Sequence, residues 1–321
     1  MLSLKRISKS YKVGTFGGKD FLAVRDVSFD INEGEVVSLI GESGSGKTTV
    51  GKMVLKLIEI THGAIVLDGV DVASVKGADL KQYYRSVQGV FQDPFSSYNP
   101  IFKADRVFGM LQSEYFPDMA RSEWNDKIEA ALRAVTLEPD QVLGKYPHQL
   151  SGGQLQRLLV ARALLLDLKI LVADEIISML DASTRIDVLN LLAELKARGM
   201  GILFITHDLS LGNYISEKTV ILRRGVIVEM GATQKVFGNP THPYTRMLIS
   251  SVPQLHKKWA QIEAELAAPI AGRGGCLFHE AYPLAGRTHD GASDDPTMAK
   301  IEDDHFVGCF ELESEKISRV A

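Results

Sequence analysis

The sequence predicts an α/β fold built around a mostly parallel sheet that is buried on both faces. Three apolar runs have the length of buried strands, at residues 36–40, 169–174 and 201–206. Segments with helical periodicity connect them, and the first run leads into a glycine-rich turn. Apolar strands joined by crossover helices favour a parallel sheet that has helices on both sides.

The glycine-rich turn at residues 41–48 (GESGSGKT) fits the phosphate-binding pattern G-x-x-x-x-G-K-[ST] at every fixed position. It follows a predicted strand and precedes a predicted helix. The apolar residues of that helix at helical spacing are Val50, Val54 and Leu57. In this arrangement backbone N–H groups and the positive end of a helix face phosphate oxygens. Lys47 is expected to reach the β- and γ-phosphates, and the Thr48 hydroxyl to ligate Mg²⁺. The alternative is a turn that only connects two packed elements.

Composition and charge limit the class of protein. With 321 residues, 45% of them hydrophobic, the chain has room for one large domain with an appendage, or for two domains. A net charge of −4 gives no basic footprint, so we expect no nucleic-acid partner. No apolar run of the sequence approaches the length of a membrane span. The first residues lack the apolar core of a signal peptide, and we expect the chain to stay in the cytosol.

Two segments between the predicted strands are expected to be helical. Residues 185–198 are expected to form a helix that ends before Gly199, a residue type favoured beyond a helix C-terminus. The apolar face of this helix is predicted to carry Ile186, Leu189, Leu192 and Leu195. Residues 94–166 are mostly helical in pattern, with Ile128, Leu132 and Val135 at helical spacing. We expect them to form a helical insertion between two parts of a nucleotide-binding core.

Polar side chains follow the second and third predicted strands. Asp174 and Glu175 come at the end of one strand, and His207 follows the other. A carboxylate at the carboxyl end of such a strand faces the phosphate loop at the ligand-binding edge of the sheet. Asp174 can there hold Mg²⁺, usually through water, and Glu175 can orient or deprotonate an attacking water. The alternatives are a helix-capping acidic pair and a structural histidine.

A second motif, LSGGQ at residues 150–154, lies inside the helical segment. Ser151, Gly152 and Gly153 are predicted to form a turn that opens a helix and presents N–H groups and a hydroxyl to a phosphate. The two motifs, the acidic pair and the histidine occur in the order typical of one protein family. Over at least residues 1–250 the chain resembles the ATP-binding subunits of ABC transporters.

The resemblance implies further roles. Tyr11 would stack on adenine, and Gln92 would sense the γ-phosphate and Mg²⁺ and face a membrane partner. Asp181 would belong to the D-loop, and His207 would contact the γ-phosphate. The residues implied around the triphosphate are Gly41, Ser43, Gly44, Ser45, Gly46, Lys47, Thr48 and Thr49. From the residues alone, Tyr11 can also be a core residue and Gln92 an ordinary polar loop residue.

In this family the signature residues Ser151, Gly152, Gly153 and Gln154 face the nucleotide of a partner subunit. The resemblance therefore implies two ATPase subunits that close head to tail around ATP and Mg²⁺. Where the family commonly has Pro-Thr after the acidic pair that corresponds to Asp174 and Glu175, this sequence has Ile176 and Ile177. This departure puts the local loop geometry in question.

Three longer stretches, at residues 91–100, 146–154 and 239–245, resemble the ATPases of oligopeptide/dipeptide importers. Such subunits pair as unlike ATPases beneath two transmembrane permease subunits, at the cytoplasmic face of the membrane, and an extracytoplasmic binding protein supplies the solute. Some relatives carry nickel or oligosaccharides, and nothing in an ATPase subunit touches the cargo.

The remaining residues, 251–321, resemble the C-terminal extension of that subfamily, where four cysteines can hold an iron–sulfur cluster. Here Cys276 and Cys309 match, while Tyr282 and His289 occupy the other two positions. Because thiolates are the usual ligands, we expect two thiols and no cluster.

Three other functions remain open from the sequence. A soluble ABC ATPase of translation or DNA repair usually has two cassettes or a long coiled coil, whereas this chain has one phosphate loop, one signature and no sustained heptads. A degenerate regulatory cassette would bind ATP without hydrolysing it. An exporter cassette is disfavoured by the three subfamily stretches.

Overall fold

The computed structural model describes residues 1–13, 19–178, 180, 182–252 and 298–308. The strands are β1 Leu2–Val13, β2 Lys19–Ile31, β3 Val36–Ile40, β4 His62–Leu67, β5 Val70–Asp71, β6 Val87–Val90, β7 Ile170–Asp174, β8 Gly201–Thr206, β9 Lys218–Arg223, β10 Val226–Ala232, β11 Met298–Glu302 and β12 His305–Gly308. The α-helices are α1 Lys47–Val54, α2 Gly77–Ser86, α3 Arg106–Tyr115, α4 Arg121–Ala134, α5 Pro139–Val142, α6 Gly152–Leu164, α7 Ala182–Ala197, α8 Leu209–Ile215, α9 Thr233–Gly238 and α10 Pro243–Ser250.

The larger of two sheets has the strand order β11-β12-β10-β9-β3-β8-β7-β6. Strands β9, β3, β8, β7 and β6 pair in parallel, and the pairs from β9 to β11 are antiparallel. The three predicted apolar strands form β3, β7 and β8 near the middle of the sheet. Every residue of these strands is buried, as expected for parallel strands that are covered on both faces. The predicted α/β fold is confirmed.

Successive residues of β3 pack into different cores because side chains alternate across a strand. Val37 and Leu39 pack with α1 and with the smaller, antiparallel sheet, whose order is β2-β1-β4-β5. Val36 packs instead with residues of α4, α6 and α7. The central sheet is therefore held between the N-terminal sheet with α1 on one face and these helices on the other.

The register of the central strands aligns their carboxyl ends. Ile40 of β3 pairs with Thr206 of β8, and Asp174 of β7 pairs with Ile205. The turn from β3 into α1 consequently begins at the same edge where β7 and β8 end. This places the phosphate loop next to the two polar strand ends that the sequence singled out.

Residues 94–166 contain α3 to α6, in agreement with the helical pattern of this segment. Trp124 of α4 is 2% exposed, and its indole N–H donates to the carbonyl oxygen of Phe108 in α3 at 3.2 Å. Leu132 of α4 and Leu155 of α6 are both fully buried in the same core. Of the helices in the described ranges, none is both long and apolar enough to cross a membrane.

The hairpin of β11 and β12 extends the large sheet beyond β10. Strand β12 pairs with β10 in antiparallel fashion, with Gly231 opposite His305. Residues 298–308 therefore belong to the same sheet as β3, the strand that leads into the phosphate loop.

Two apolar residues are more exposed than their helical spacing predicted. Ile186 of α7 is 58% exposed, whereas Val188, Leu192 and Leu195 are buried. Steps of three residues drift around a helix that has 3.6 residues per turn, so Ile186 lies roughly opposite the face that those three define. Leu57 is 55% exposed because α1 ends at Val54 and the residue falls beyond the helix.

Candidate active site

The phosphate loop owes its shape to glycines that no other residue could replace without strain. Gly46 occupies the N-cap position of α1 with φ 105° and ψ 0°, in the left-handed region. A Cβ at Gly46 would lie 2.7 Å from the carbonyl oxygen of Ala23, and a Cβ at Gly41 would lie 2.1 Å from that of Leu222. The first amides of α1 have no partner within the helix and point out of its positive end. The loop can therefore bind an anion.

The side chain of Lys47, the first residue of α1, folds back onto the phosphate loop. It is 5% exposed, and its Nζ donates to the carbonyl oxygens of Gly41 and Glu42, both at 2.8 Å. Burial lowers the pKa of Lys47, and the carboxylates of Glu175, Asp174 and Glu42 act against this shift. Phosphate oxygens can take the place of the two carbonyls, because the ammonium donates to either type of acceptor.

Asp174 and Thr48 bring two side-chain oxygen ligands together, one buried and the other exposed to the cavity. Asp174 is 4% exposed, and the Thr48 hydroxyl is close enough to act on the pKa of its carboxyl group. Burial raises the pKa of Asp174, and the Thr48 hydroxyl opposes the rise. Its Oδ1 has no hydrogen-bond partner among the described residues. Mg²⁺ prefers oxygen ligands and is commonly bound through one or two carboxylates together with phosphate oxygens. The residues fit this ion.

Glu175 and His207 meet at the ends of β7 and β8. Nδ1 of His207 lies 3.1 Å from Oε1 of Glu175, and the side chains are 57% and 19% exposed respectively. Glu175 has φ 50°, a conformation uncommon for a residue with a side chain, and its N–H donates to the carbonyl oxygen of Ile205 at 2.9 Å. The left-handed residue turns the chain out of β7.

Ile176 and Ile177, the departure from the family pattern, are 1% and 2% exposed and belong to the core beneath the sheet. Ser178 donates its N–H at 3.1 Å and its hydroxyl at 2.9 Å to the carbonyl oxygen of Glu175. The isoleucines are thus accommodated as core residues, and the turn after Glu175 is closed by Ser178.

An open cavity of about 720 Å³ lies over the phosphate loop. It is lined by Tyr11, Phe21, Ala23, Ser43, Gly44, Gly46, Lys47, Thr48, Thr49, Gln92, Glu175 and His207. Gly41, Ser45 and Asp174 are buried and do not belong to this lining, although Asp174 reaches it through Thr48. Most of the residues implied for nucleotide binding and catalysis therefore surround one space.

Phe21 and Ala23 were not singled out from the sequence. Phe21 of β2 lies directly opposite Tyr11 of β1 and is 58% exposed, so the cavity has two aromatic side chains on neighbouring strands. Only the register of the β1–β2 pair reveals this proximity. The sequence alone offered only a second large aromatic residue ten positions after Tyr11.

The signature residues do not line this cavity. Ser151 is the N-cap of α6, and its hydroxyl accepts the N–H of Gln154 at 3.2 Å. Oε1 of Gln154 accepts the N–H of Ser151 at 2.9 Å, which completes a capping box. Gly152 and Gly153 form the first turn of α6. Asp181, Cys276 and Cys309, together with Tyr282 and His289, lie outside the described residues.

Comparison with known families and proteins identifies the family of the chain. The sequence profile of the family described as "ABC transporter" matches residues 24–178, and that described as "Oligopeptide/dipeptide transporter, C-terminal region" matches residues 228–287. The oligopeptide transport ATP-binding protein AmiF of Streptococcus pneumoniae is 38% identical over 301 residues, which cover 92% of each chain. The oligopeptide transport ATP-binding protein OppF of Salmonella typhimurium is 36% identical over 275 residues, covering 84% of this chain and 82% of OppF.

Among solved structures, the dimeric post-hydrolysis state of the ATP-binding cassette MJ0796 bound to ADP and Pi matches with a TM-score of 0.65 and 30% sequence identity. The match covers 73% of this chain and 99% of that one. Sequence and fold agree, and this chain belongs to the ATP-binding proteins of ABC transporters, within the oligopeptide/dipeptide group.

Proposed function

We propose that this chain binds ATP with Mg²⁺ in the cavity over the phosphate loop and hydrolyses it to power the import of oligopeptides or dipeptides. The observation that carries the proposal is the convergence of Lys47, Thr48, Glu175 and His207 on one cavity, with the buried Asp174 behind Thr48. The cargo class rests on relatives that are named as oligopeptide transport proteins. An oligosaccharide or nickel is the alternative cargo.

The phosphate loop holds the nucleotide through its backbone and Lys47. Amides at the start of α1 donate to phosphate oxygens, and the Lys47 ammonium moves from the carbonyls of Gly41 and Glu42 to the β- and γ-phosphates. Tyr11 stacks on adenine at the rim of the cavity, where Phe21 lies beside it.

Thr48 and Asp174 are the residues that would hold Mg²⁺, with Gln92, which lines the same cavity, as a further ligand. An ion held there would supply positive charge against the negative charge that develops on the phosphate oxygens. The unpartnered Oδ1 of Asp174 supplies an oxygen that is already desolvated and close to Thr48.

Glu175 and His207 carry the hydrolytic step. Oε1 of Glu175 orients a water and accepts its proton as the water oxygen attacks the γ-phosphorus. The bond from phosphorus to the β–γ bridging oxygen breaks, which leaves ADP and phosphate. Nδ1 of His207 lies 3.1 Å from Oε1 of Glu175 and fixes this carboxylate. With both ring nitrogens protonated, Nε2 can also donate to the γ-phosphate.

The position of the signature supports catalysis by two subunits. Ser151, Gly152, Gly153 and Gln154 begin α6 and do not line the cavity of their own chain. Their hydroxyl and amides would donate to the γ-phosphate bound by a second ATPase subunit that closes head to tail on this one. The dimeric form of the ABC cassette MJ0796 supports this arrangement. The partner is proposed to be an unlike paralogue.

Coupling to the membrane runs through the Gln92 region. A groove of about 300 Å³ next to it is lined by Leu55, Tyr84, Phe91 and Arg162, among others. Nε2 of Gln156 in α6 donates to the carbonyl oxygen of Phe91 at 3.2 Å, so the signature helix is tied to the segment that carries Gln92. We assign this face to two transmembrane permease subunits, which an extracytoplasmic binding protein supplies. The chain would then lie at the cytoplasmic face of the membrane.

Two substitutions test the proposal. Glu175→Gln keeps the size and hydrogen bonding of the side chain but removes the base, so we expect ATP binding to persist while turnover is abolished and the closed dimer accumulates. Lys47→Ala should instead weaken nucleotide binding itself. ATP binding and phosphate release are measured separately on the purified proteins. Undiminished hydrolysis by Glu175→Gln would contradict the role of Glu175, and binding without hydrolysis in the unsubstituted protein would favour a regulatory cassette.

A further inference from the structure

A buried tyrosine far along the chain contacts the phosphate loop. Tyr244 of α10 is fully buried, and its hydroxyl accepts the backbone N–H of Glu42 at 3.1 Å. Glu42 is the second residue of the loop, and the two residues are separated by 202 positions in the sequence. The contact joins the region that matches the oligopeptide/dipeptide C-terminal profile to the nucleotide site.

The tyrosine ring is held on both sides. It packs in a core with Ile40, the residue immediately before the loop, and with Ile221 of β9. The guanidinium carbon of Arg223 lies 4.6 Å from the ring centroid, within cation–π range. The hydroxyl of a ring fixed in this way has little freedom, so the position of the Glu42 amide is fixed with it.

The start of α10 is itself anchored by a buried carboxylate. His242 caps the helix, with its Nδ1 accepting the N–H of Tyr244 at 3.0 Å. Glu229 of β10 accepts the N–H groups of Thr241 and His242 at 2.8 and 2.9 Å. His305 of the C-terminal hairpin lies against the same carboxylate, with 2.8 Å between Nε2 and Oε1. Tyr244 is thus carried by a rigid support and not by a surface loop.

Glu42 is also the residue that holds Lys47. Its N–H is bound by Tyr244, and its carbonyl oxygen accepts the Lys47 ammonium at 2.8 Å. When the ammonium moves to a phosphate, the bond to Tyr244 still holds the amide of Glu42. A loop that is ordered before the ligand arrives loses less conformational entropy on binding.

We propose that Tyr244 is a positioning residue for the phosphate loop, and that α10 thereby sets the affinity of the site for nucleotide. The inference rests on the proposed function, because it acts on the ATP site described above. Tyr244 touches neither substrate nor reacting atoms. Its role is to keep the loop in the shape that binds phosphates.

Tyr244→Phe tests this with the smallest change, since it keeps the ring and removes the hydroxyl that accepts the Glu42 N–H. A hydrogen bond of this kind corresponds to an affinity change of about threefold to tenfold. We expect the KM for ATP and the Kd of a non-hydrolysable ATP analogue to rise by that factor, with kcat within about twofold of the unsubstituted protein. In the nucleotide-free protein, amide hydrogen exchange in a peptide spanning the phosphate loop should be faster.

Tyr83→Phe is the matched control. Tyr83 is 5% exposed, and its hydroxyl donates to the carbonyl oxygen of Val54 at the opposite end of α1. This variant should lower the melting temperature as much as Tyr244→Phe does, while KM, Kd and loop exchange stay unchanged. All measurements are made on the full chain at a temperature well below the melting temperature of each variant.

Equal KM, Kd and loop exchange in Tyr244→Phe and the unsubstituted protein would overturn the inference, and so would an identical KM increase in Tyr83→Phe. A failure of the unsubstituted protein to bind ATP would contradict the proposed function instead. In that case the role of Tyr244 is judged from hydrogen exchange alone, because this measurement reports on the loop without nucleotide.

Discussion

Replacement of His305 by alanine removes one partner of the most deeply buried ion pair among the described residues. His305 and Glu229 both have side chains that are 0% exposed, and Nε2 of His305 lies 2.8 Å from Oε1 of Glu229. The pair joins β12 of the C-terminal hairpin to β10. In His305→Ala the Glu229 carboxylate keeps its two backbone donors, the N–H groups of Thr241 and His242, but loses its only described side-chain donor.

The expected loss is large for a single substitution. Removing one partner of a buried charged pair costs about 3–5 kcal/mol, because the other charge is left uncompensated. Because Glu229 keeps two amide donors, we expect the loss in His305→Ala to lie at the lower end of this range, at about 3 kcal/mol. His305→Gln can still donate a neutral hydrogen bond to Glu229, so it should be destabilised less than His305→Ala.

The loss should also depend on pH. Burial alone lowers the pKa of His305, but the hydrogen bonds and charges of Glu229 and Glu302 outweigh it and raise the pKa above the ordinary value of 6.5. A group with a raised pKa in the folded state stabilises it fully below the unfolded-state pKa, and this stabilisation disappears as the pH rises through the folded-state pKa. The stability difference between the unsubstituted protein and His305→Ala should therefore be greatest below pH 6.5 and shrink above it.

Urea unfolding of the nucleotide-free chain from pH 5.5 to 9 (about the range where histidine titrates) measures both effects. Arg133→Ala is the control, because it breaks an exposed i,i+4 pair with Glu129 and should cost no more than about 0.5 kcal/mol. A loss of less than about 1 kcal/mol in His305→Ala, as for an exposed pair, would refute the reasoning. A difference that grows as the pH rises would refute the assigned protonation state.

Three further substitutions test other parts of the structure. Burial and the charge of Arg223 lower the pKa of His242 to about 3, so His242 stays neutral when folded, and stability should fall as the pH drops from 6.5 toward 3. His242→Asn, which can also cap α10, should lack this part of the acid dependence in pH-dependent unfolding. Ile177→Ala should lower the free energy of unfolding by about 2–5 kcal/mol because the side chain is 2% exposed, whereas Ile186→Ala, at 58% exposed, should change it by less than about 0.5 kcal/mol. Equal losses in the two isoleucine variants would contradict the burial of Ile177 and the exposure of Ile186.

The sequence was most informative where local chemistry decides the structure. The apolar runs at residues 36–40, 169–174 and 201–206 have the length and burial of parallel strands, and they form β3, β7 and β8. The phosphate loop could be located because its glycines are required by the backbone itself, as Gly46 with φ 105° illustrates. The polar ends of β7 and β8 then had to face the loop, since parallel strands end at one edge.

Contacts between distant segments could not be foreseen from the same patterns. Phe21 lies opposite Tyr11 only because of the register of β1 and β2, which two short stretches of sequence do not define. The buried bond from Glu42 to Tyr244 depends on how α10 packs against the sheet. The spacing of three residues that grouped Ile186 with Leu192 and Leu195 drifts around the helix, so the buried face was defined only once the contacts of α7 with the core were known.

The measurement that tests the central claim most directly uses tagged Glu175→Gln in its native membranes. The variant is extracted gently with ATP present, and the proteins that accompany it are identified by mass spectrometry. The account predicts two membrane-spanning subunits and a second, unlike ATPase. Recovery of the chain alone, as a homodimer without membrane subunits, or with ribosomes or DNA would contradict the transport function while leaving the ATP site intact.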